Sequence, residues 1–270
     1  MVKKSKKKGS KFIWFVIGFI VIIGTIVSVA VSPIFNIRDI RIVGNRHYSD
    51  NQLSEIVNIG KQDNWFLKVA KNTKISPKNM MLYRYFDAEE NIKQICPYVK
   101  DAKVVLSGFG EYTIEVLERE PIACVSYLAS YVLIDNEGVA LEIVENIGER
   151  NIPKLNGVSL TSVNLGQKLC DSQNEIGAFC KIYNIVKEAD RESTQNLYEN
   201  IDYIDLSNLK DVSMFLDGRI LVYLGDIRDI NQYKINYTKE IFWNNLTKDE
   251  EGVLRFRDKK NPTFTKKIYA

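Results

Sequence analysis

The chain has 270 residues, with 37 Lys plus Arg, 34 Asp plus Glu and a single His, a length that suggests about two domains of roughly 100–200 residues each. The net charge of +3 is unevenly placed: residues 1–11 hold six Lys and no acid, and without them 31 basic residues face 34 acidic ones. A mildly acidic body is a poor polyelectrolyte partner, which argues against nucleic acid, and one imidazole, His47, excludes paired-His metal motifs.

Lys3, Lys4, Lys6, Lys7, Lys8 and Lys11 form a basic head over 1–11, followed by the uncharged run Phe12 to Val31. Twenty helical residues rise about 30 Å, the hydrocarbon thickness of a bilayer. Ser32-Pro33 ends the run. Lysines on its N-terminal side predict a cytoplasmic N-terminus, with the rest outside the membrane. The alternative is a signal peptide cleaved after Ala30, where Ser28-Val29-Ala30 has suitable small residues. The apolar run exceeds the 7–15 residues of a signal core and favours an uncleaved anchor.

Residues 34–43 alternate as a strand, with a phase slip that places its regular part after Arg38. Ser49 opens a helix, with Gln52 completing a capping box; Leu53, Ile56 and Val57 form its buried stripe and Gly60 ends it. Residues 68–86 have no clean period. Asp87 caps a second helix to about Cys96, with Ile92 and Ile95 inward, and Pro97 follows. Strands are expected over 101–107 and 111–119, the second with Tyr112, Ile114 and Val116 on one face. The order is β-α-α-β-β over 33–121.

After Pro121 the pattern changes. Residues 122–134 read as a strand that turns through Asp135-Asn136-Glu137-Gly138 into Val139–Ile143. Residues 152–157 read as an irregular connection. An amphipathic helix is predicted over 173–189, with Ile176, Phe179, Cys180, Tyr183 and Val186 on one face. Strands follow at 201–207, 211–217 and 219–224, then a helix over 228–246. A final strand runs from Gly252 to Asp258, and 259–270 is a short basic tail. The fold class is α+β.

The segments carry a resemblance. Phe35-x-Ile37-x-x-Ile40-x-Ile42-x-Gly44-Asn45, Pro97-Tyr98-Val99-x-x-Ala102-x-Val104 and Ile114-x-Val116-x-Glu118-Arg119-x-Pro121 stand in order. So do Tyr131-x-Leu133-Ile134-Asp135-x-x-Gly138, Pro153-x-Leu155-x-Gly157 and Asp217-Gly218 with Val222-x-Leu224-Gly225. Together these resemble the FtsQ/DivIB family of bacterial cell-division proteins, over nearly the whole chain. The resemblance implies a single-pass membrane protein with a POTRA domain over 33–121 and a mixed α/β "β domain" over 122–258. It also implies a non-enzymatic scaffold at the division septum. Its partners would be FtsL and FtsB/DivIC outside the membrane and, indirectly, septal peptidoglycan synthases. No catalytic residue, metal, cofactor, small-molecule substrate or nucleic acid is expected. The chain departs from the family in a longer 68–86 segment, in Ser107-Gly108-Phe109-Gly110 for a proline turn, and in its final strand, Gly-Val-Leu-Arg-Phe-Arg-Asp.

That final strand is the candidate partner site: Val253, Leu254, Arg255, Phe256 and Arg257. A strand added last readily becomes an edge, whose unpaired N–H and C=O groups recruit a partner strand. Leu254 and Phe256 should point inward and the two arginines outward. Glu118 and Glu120 about Arg119 read as a solvated strand end with the arginine paired locally, and His47 as an exposed turn residue. Cys96, Cys124, Cys170 and Cys180 read as buried free thiols, without the spacing of a redox or metal site. The other readings are a POTRA-bearing exported chaperone or secretion component, and a secreted protein released at Ala30.

Overall fold

A computed structural model describes residues 9–70, 84–108, 110–148, 150–169, 171–191, 194–256 and 261–267. It is a mixed α/β structure in two compact units, one ending at Glu118 and the other beginning at Arg119.

The first unit begins with helix α1 (Gly9–Ala30). Its stretch Phe12–Ala30 has a mean hydropathy of 2.7 and none of it is buried. A helix this apolar and this bare is not the core helix of a folded unit. It is long and apolar enough to cross a membrane. A 3₁₀ turn at Pro33–Phe35 follows. Then come β1 (Asp39–Val43), α2 (Asp50–Val57), α3 (Trp65–Ala70), α4 (Phe86–Ile95), β2 (Val99–Gly108) and β3 (Glu111–Glu118). The sheet order is β1-β3-β2, with β1 parallel and β2 antiparallel to β3.

Ser49 caps α2 through the reciprocal bonds expected of Ser49 and Gln52. The helix ends at Val57, not Gly60, because Asn58 turns left-handed at φ 52. Asn tolerates that conformation better than most residues. On α4, Ile92 is buried but Ile95 is 60% exposed. Glu89 of this helix is buried, taking a two-pronged bond from Arg84 at 2.6 and 2.9 Å and another from the Val104 N–H at 3.0 Å. That carboxylate ties the helix to β2. Residues 71–83, most of the segment without a period, lie outside the described residues.

The second unit is built on one nine-stranded sheet, ordered β12-β11-β10-β9-β8-β7-β4-β5-β6. Its strands are β4 (Ala123–Tyr127), β5 (Ser130–Ile134), β6 (Ala140–Val144), β7 (Lys154–Asn156), β8 (Ile201–Asp205), β9 (Val212–Leu216), β10 (Ile220–Gly225), β11 (Gly252–Arg255) and β12 (Thr263–Lys266). Helices α5 (Gln173–Asp190) and α6 (Gln232–Glu240) share its core, α5 through Phe179, Ile182 and Val186 and α6 through Ile235. The expected helix over 228–246 is divided into a 3₁₀ turn, α6 and a π-helical turn at Ile241–Asn245.

Three expectations are corrected here. Residues 122–134 are two strands, turned at Leu128, which is left-handed at φ 53 and 91% exposed. No Gly or Pro marks that turn. Residues 152–157 contain β7, which pairs in parallel with β4 and with β8. Arg119 pairs across the unit and not with its neighbouring glutamates at a solvated end: it bonds Asp135, which is 2% exposed, and reaches Glu137 at 2.8 Å. Glu118 accepts the backbone N–H groups of Arg46, His47 and Tyr48 at 2.8, 2.6 and 3.2 Å. Both side chains are structural. His47 is exposed as expected, and its ring stacks on Tyr98 with centroids 3.6 Å apart.

Asp135 also takes the N–H groups of Glu137 and Val139, at 2.9 and 2.8 Å. Arg119→Ala leaves that carboxylate buried without its cation, so it should destabilise the second unit by about 3–5 kcal/mol in urea melts. Burial pushes the Cys124 thiol up to about 11 and raises Cys96 as well. Cys180 is half-buried, and Cys170 lies outside the described residues. Alkylation at pH 8 followed by peptide mapping should find Cys96 and Cys124 protected in the native protein and modified in denaturant.

Candidate partner-binding surface

The candidate strand is β11, with Leu254 and Phe256 in the core at 1% and 7% exposure. Val253 and Arg255 alternate with them and are half-buried on the opposite face. This is the period of two expected of a strand with one buried face. Arg257 lies outside the described residues.

β11 is not the edge. It runs parallel to β10 on one side and antiparallel to β12 on the other. The Gly252 and Phe256 N–H groups donate to Arg219 and Tyr223 of the β10 side. The Lys267 N–H donates to the Glu251 carbonyl. Even-numbered backbone groups of β11 therefore face β10, and odd-numbered ones, Arg255 included, face β12. Residues 259–270 are accordingly more than a tail, since four of them form β12.

Gly252 explains why β12 can seat there. A Cβ on Gly252 would lie 2.5 Å from the Thr265 carbonyl oxygen and 2.6 Å from Cζ of Phe264. With hydrogen in that place, the Phe264 ring crosses Gly252 and packs against the core. Sequence reading missed β12 because four residues in a lysine-rich terminus carry little signal. The alternation Thr263-Phe264-Thr265-Lys266 was its only mark.

The same alternation leaves one backbone side of β12 open. Lys267 bonds to Glu251, so Thr265 and Thr263 also face β11, while Phe264 and Lys266 face outward. The next outward position is Pro262, which has no N–H. The edge thus offers two donors among the described residues, flanked by a proline and a lysine of the kind that guard edges.

Two to four strands in from this edge, the face opposite the core carries rings. Tyr203 and Phe215, cross-strand partners on β8 and β9, stack at 5.2 Å. The Arg255 guanidinium lies 3.8 Å over the ring of its β10 partner Tyr223, a geometry in which the ring face attracts the cation. On the core side, Lys234 of α6 donates to the Leu224 carbonyl at 2.6 Å and its Nζ stands 5.9 Å from the Phe256 ring. Desolvation there lowers its pKa. The arrangement offers backbone groups, aromatic faces and a half-buried cation, which suit a protein strand. Among the described residues no three His, Cys, Asp or Glu gather in a way that could hold a metal ion.

No family model matches the chain. Two cell division proteins DivIB do. The protein from Clostridium acetobutylicum is 26% identical over 235 residues, covering 86% of this chain and 84% of the relative. The one from Clostridium tetani is 25% identical over 199 residues, covering 72% and 71%. The resemblance is to the FtsQ/DivIB family. An alignment of 235 residues is longer than either compact unit, so the likeness to that family runs across both.

Two substitutions probe the seat of β12. Gly252→Ala should displace Phe264 and destabilise the second unit by about 1–3 kcal/mol in thermal melts, as overpacking does. Arg255→Pro removes a donor that faces β12 and should loosen that strand, seen as faster amide exchange over 263–266. Phe256→Ala should cost about 3–5 kcal/mol through its buried ring.

Proposed function

We propose that this chain is a membrane-anchored, non-enzymatic cell-division scaffold of the FtsQ/DivIB type. The observation that carries the reading is the similarity to two DivIB proteins along most of the chain. In this reading Phe12 to Val31 spans the cell membrane once, with the lysine head in the cytoplasm. Residues 33–121 act as a POTRA domain and 122–258, extended by β12, as the β domain. The protein works at the septum by recruiting other proteins and shifting the populations of their complexes, with no bond chemistry.

FtsL and FtsB/DivIC are the proposed partners, with septal peptidoglycan synthases reached through them. The proposed docking site is the end of the large sheet, from Val253 to Arg257, with β12 as the strand that a partner strand would extend. Two features support it: the open backbone side of β12 and the Tyr223 ring under Arg255. Docking would add a strand through main-chain bonds and select it through side chains.

Lys266→Pro removes an outward donor and leaves the bonds to β11 in place. It should abolish recovery of FtsL and DivIC with the tagged full-length protein after cross-linking in intact membranes, with an unchanged melting curve. Thr265→Pro, which removes a donor facing β11, should lower stability as well. Full capture by the Lys266→Pro protein would move the partner site away from β12. N-terminal sequencing of the membrane protein should begin at Met1, and a fluorescent fusion should gather at mid-cell.

A further inference from the structure

α1 ends at Ala30, and α3 lies against that end. The Asn64 side chain makes the junction. Its Nδ2 donates to the Ala30 carbonyl at 2.8 Å, and its Oδ1 accepts the Leu67 N–H at 3.1 Å, capping α3. The backbones of Asn36 and Asn64 also form a bridge. One polar side chain thus satisfies a carbonyl that the helix end leaves without an intrahelical partner and fixes α3 beside it.

The surface around this junction is apolar. Ile34, Phe66 and Leu67 are 49%, 41% and 39% exposed. Phe35 packs at 5.4 Å from the Trp65 ring and 5.8 Å from the Phe66 ring. Trp65 in turn packs on the core of the first unit. These rings form a collar whose inner side is rooted in the fold and whose outer side is bare. Isolated exposed apolar residues are ordinary, but a contiguous cluster marks a contact surface.

We propose that this collar lies in the interfacial layer of the bilayer, on the side of the membrane away from the lysine head, and holds the first unit against the lipid. The inference rests on α1 spanning the membrane. Nineteen helical residues rise about 28 Å, so Phe12–Ala30 fills the hydrocarbon and places Ala30 at its boundary. Each interfacial layer beyond that boundary is about 5–8 Å thick. Phe66 and Leu67 follow Asn64 by two and three residues in α3, where the helix axis rises only about 3 and 5 Å. The bond to Ala30 therefore keeps them at interfacial depth, where aromatic side chains concentrate.

Depth-dependent fluorescence quenching tests this on the full chain in phosphatidylcholine vesicles. Trp14, Trp65 and Trp243 are replaced by Phe, and a single tryptophan is returned at one position. Phe66→Trp and, separately, Leu67→Trp should give blue-shifted emission that is quenched by lipid labelled near the headgroup more than by lipid labelled at the chain ends. Circular dichroism melts accompany each protein, and the two positions guard against misfolding of either one. Restoring Trp14 alone reports on α1 itself. Water-like emission at 66 and 67 with Trp14 quenched would overturn the collar and leave the anchor standing. Blue-shifted emission unquenched by any lipid would assign the patch to a second protein surface and likewise overturn it. No quenching of Trp14 would overturn the anchor and the collar together. Asn64→Ala in the Phe66→Trp protein should reduce the headgroup quenching, because the tie to Ala30 is lost.

Discussion

Three residues hold the large sheet together. β7, Lys154–Asn156, pairs in parallel with β4 on one side and β8 on the other. The Cys124 N–H donates to the Pro153 carbonyl at 3.0 Å, and the Leu206 N–H to that of Asn156 at 2.9 Å. Without this strand the antiparallel group β4–β6 and the group β8–β12 would be two separate sheets, each with a raw edge. Leu155, buried from both sides, supplies the packing that keeps so short a strand in register. The sheet's far end, where β11 and β12 lie, therefore inherits its position from a strand 100 residues earlier.

The two units use buried charge in the same way. Glu89 in the first takes one backbone N–H and one arginine, and Asp135 in the second takes two backbone N–H groups and one arginine. Such carboxylates specify geometry because each oxygen has an assigned donor, and an alternative packing would strand a charge. Lys239 and Asp190 repeat the device, with Asp190 also accepting the Leu197 and Tyr198 N–H groups at 3.0 Å each. Tyr198 then reaches across to bond the Ile122 carbonyl, joining the segment before β8 to the start of β4.

Elements with local causes were legible in the sequence. The Ser49–Gln52 capping box, the alternation of β3 and the apolar stripe of α5 depend on neighbours a few residues apart, and each was found where expected. What was not legible depends on distant partners. β7 has too few residues to show a period, and it is a strand only because β4 and β8 flank it. The turn at Leu128 has no Gly or Pro, and the pairing of β4 with β5 forces it. Arg119 reads as paired with adjacent acids at a solvated strand end until Asp135, sixteen residues on, is seen beside it. At the candidate site, the inward Leu254 and Phe256 followed from alternation alone, whereas the edge was placed one strand too early. The cause is Gly252, whose missing side chain admits Phe264, a relation across twelve residues that no periodicity encodes.

The guarded edge of β12 limits what it can hold. A strand laid along Phe264 and Lys266 would gain two to four main-chain bonds, each contributing about 1 kcal/mol net. That sum corresponds to a dissociation constant of roughly 1 mM or weaker. An edge with so few free donors cannot secure a partner that diffuses in from dilute solution. It can do so when both proteins are tethered to one surface, because confinement raises the effective concentration of each toward the millimolar range. Pro262 and Lys266 would then act as a threshold, letting the sheet grow by one strand only beside a neighbour already held close.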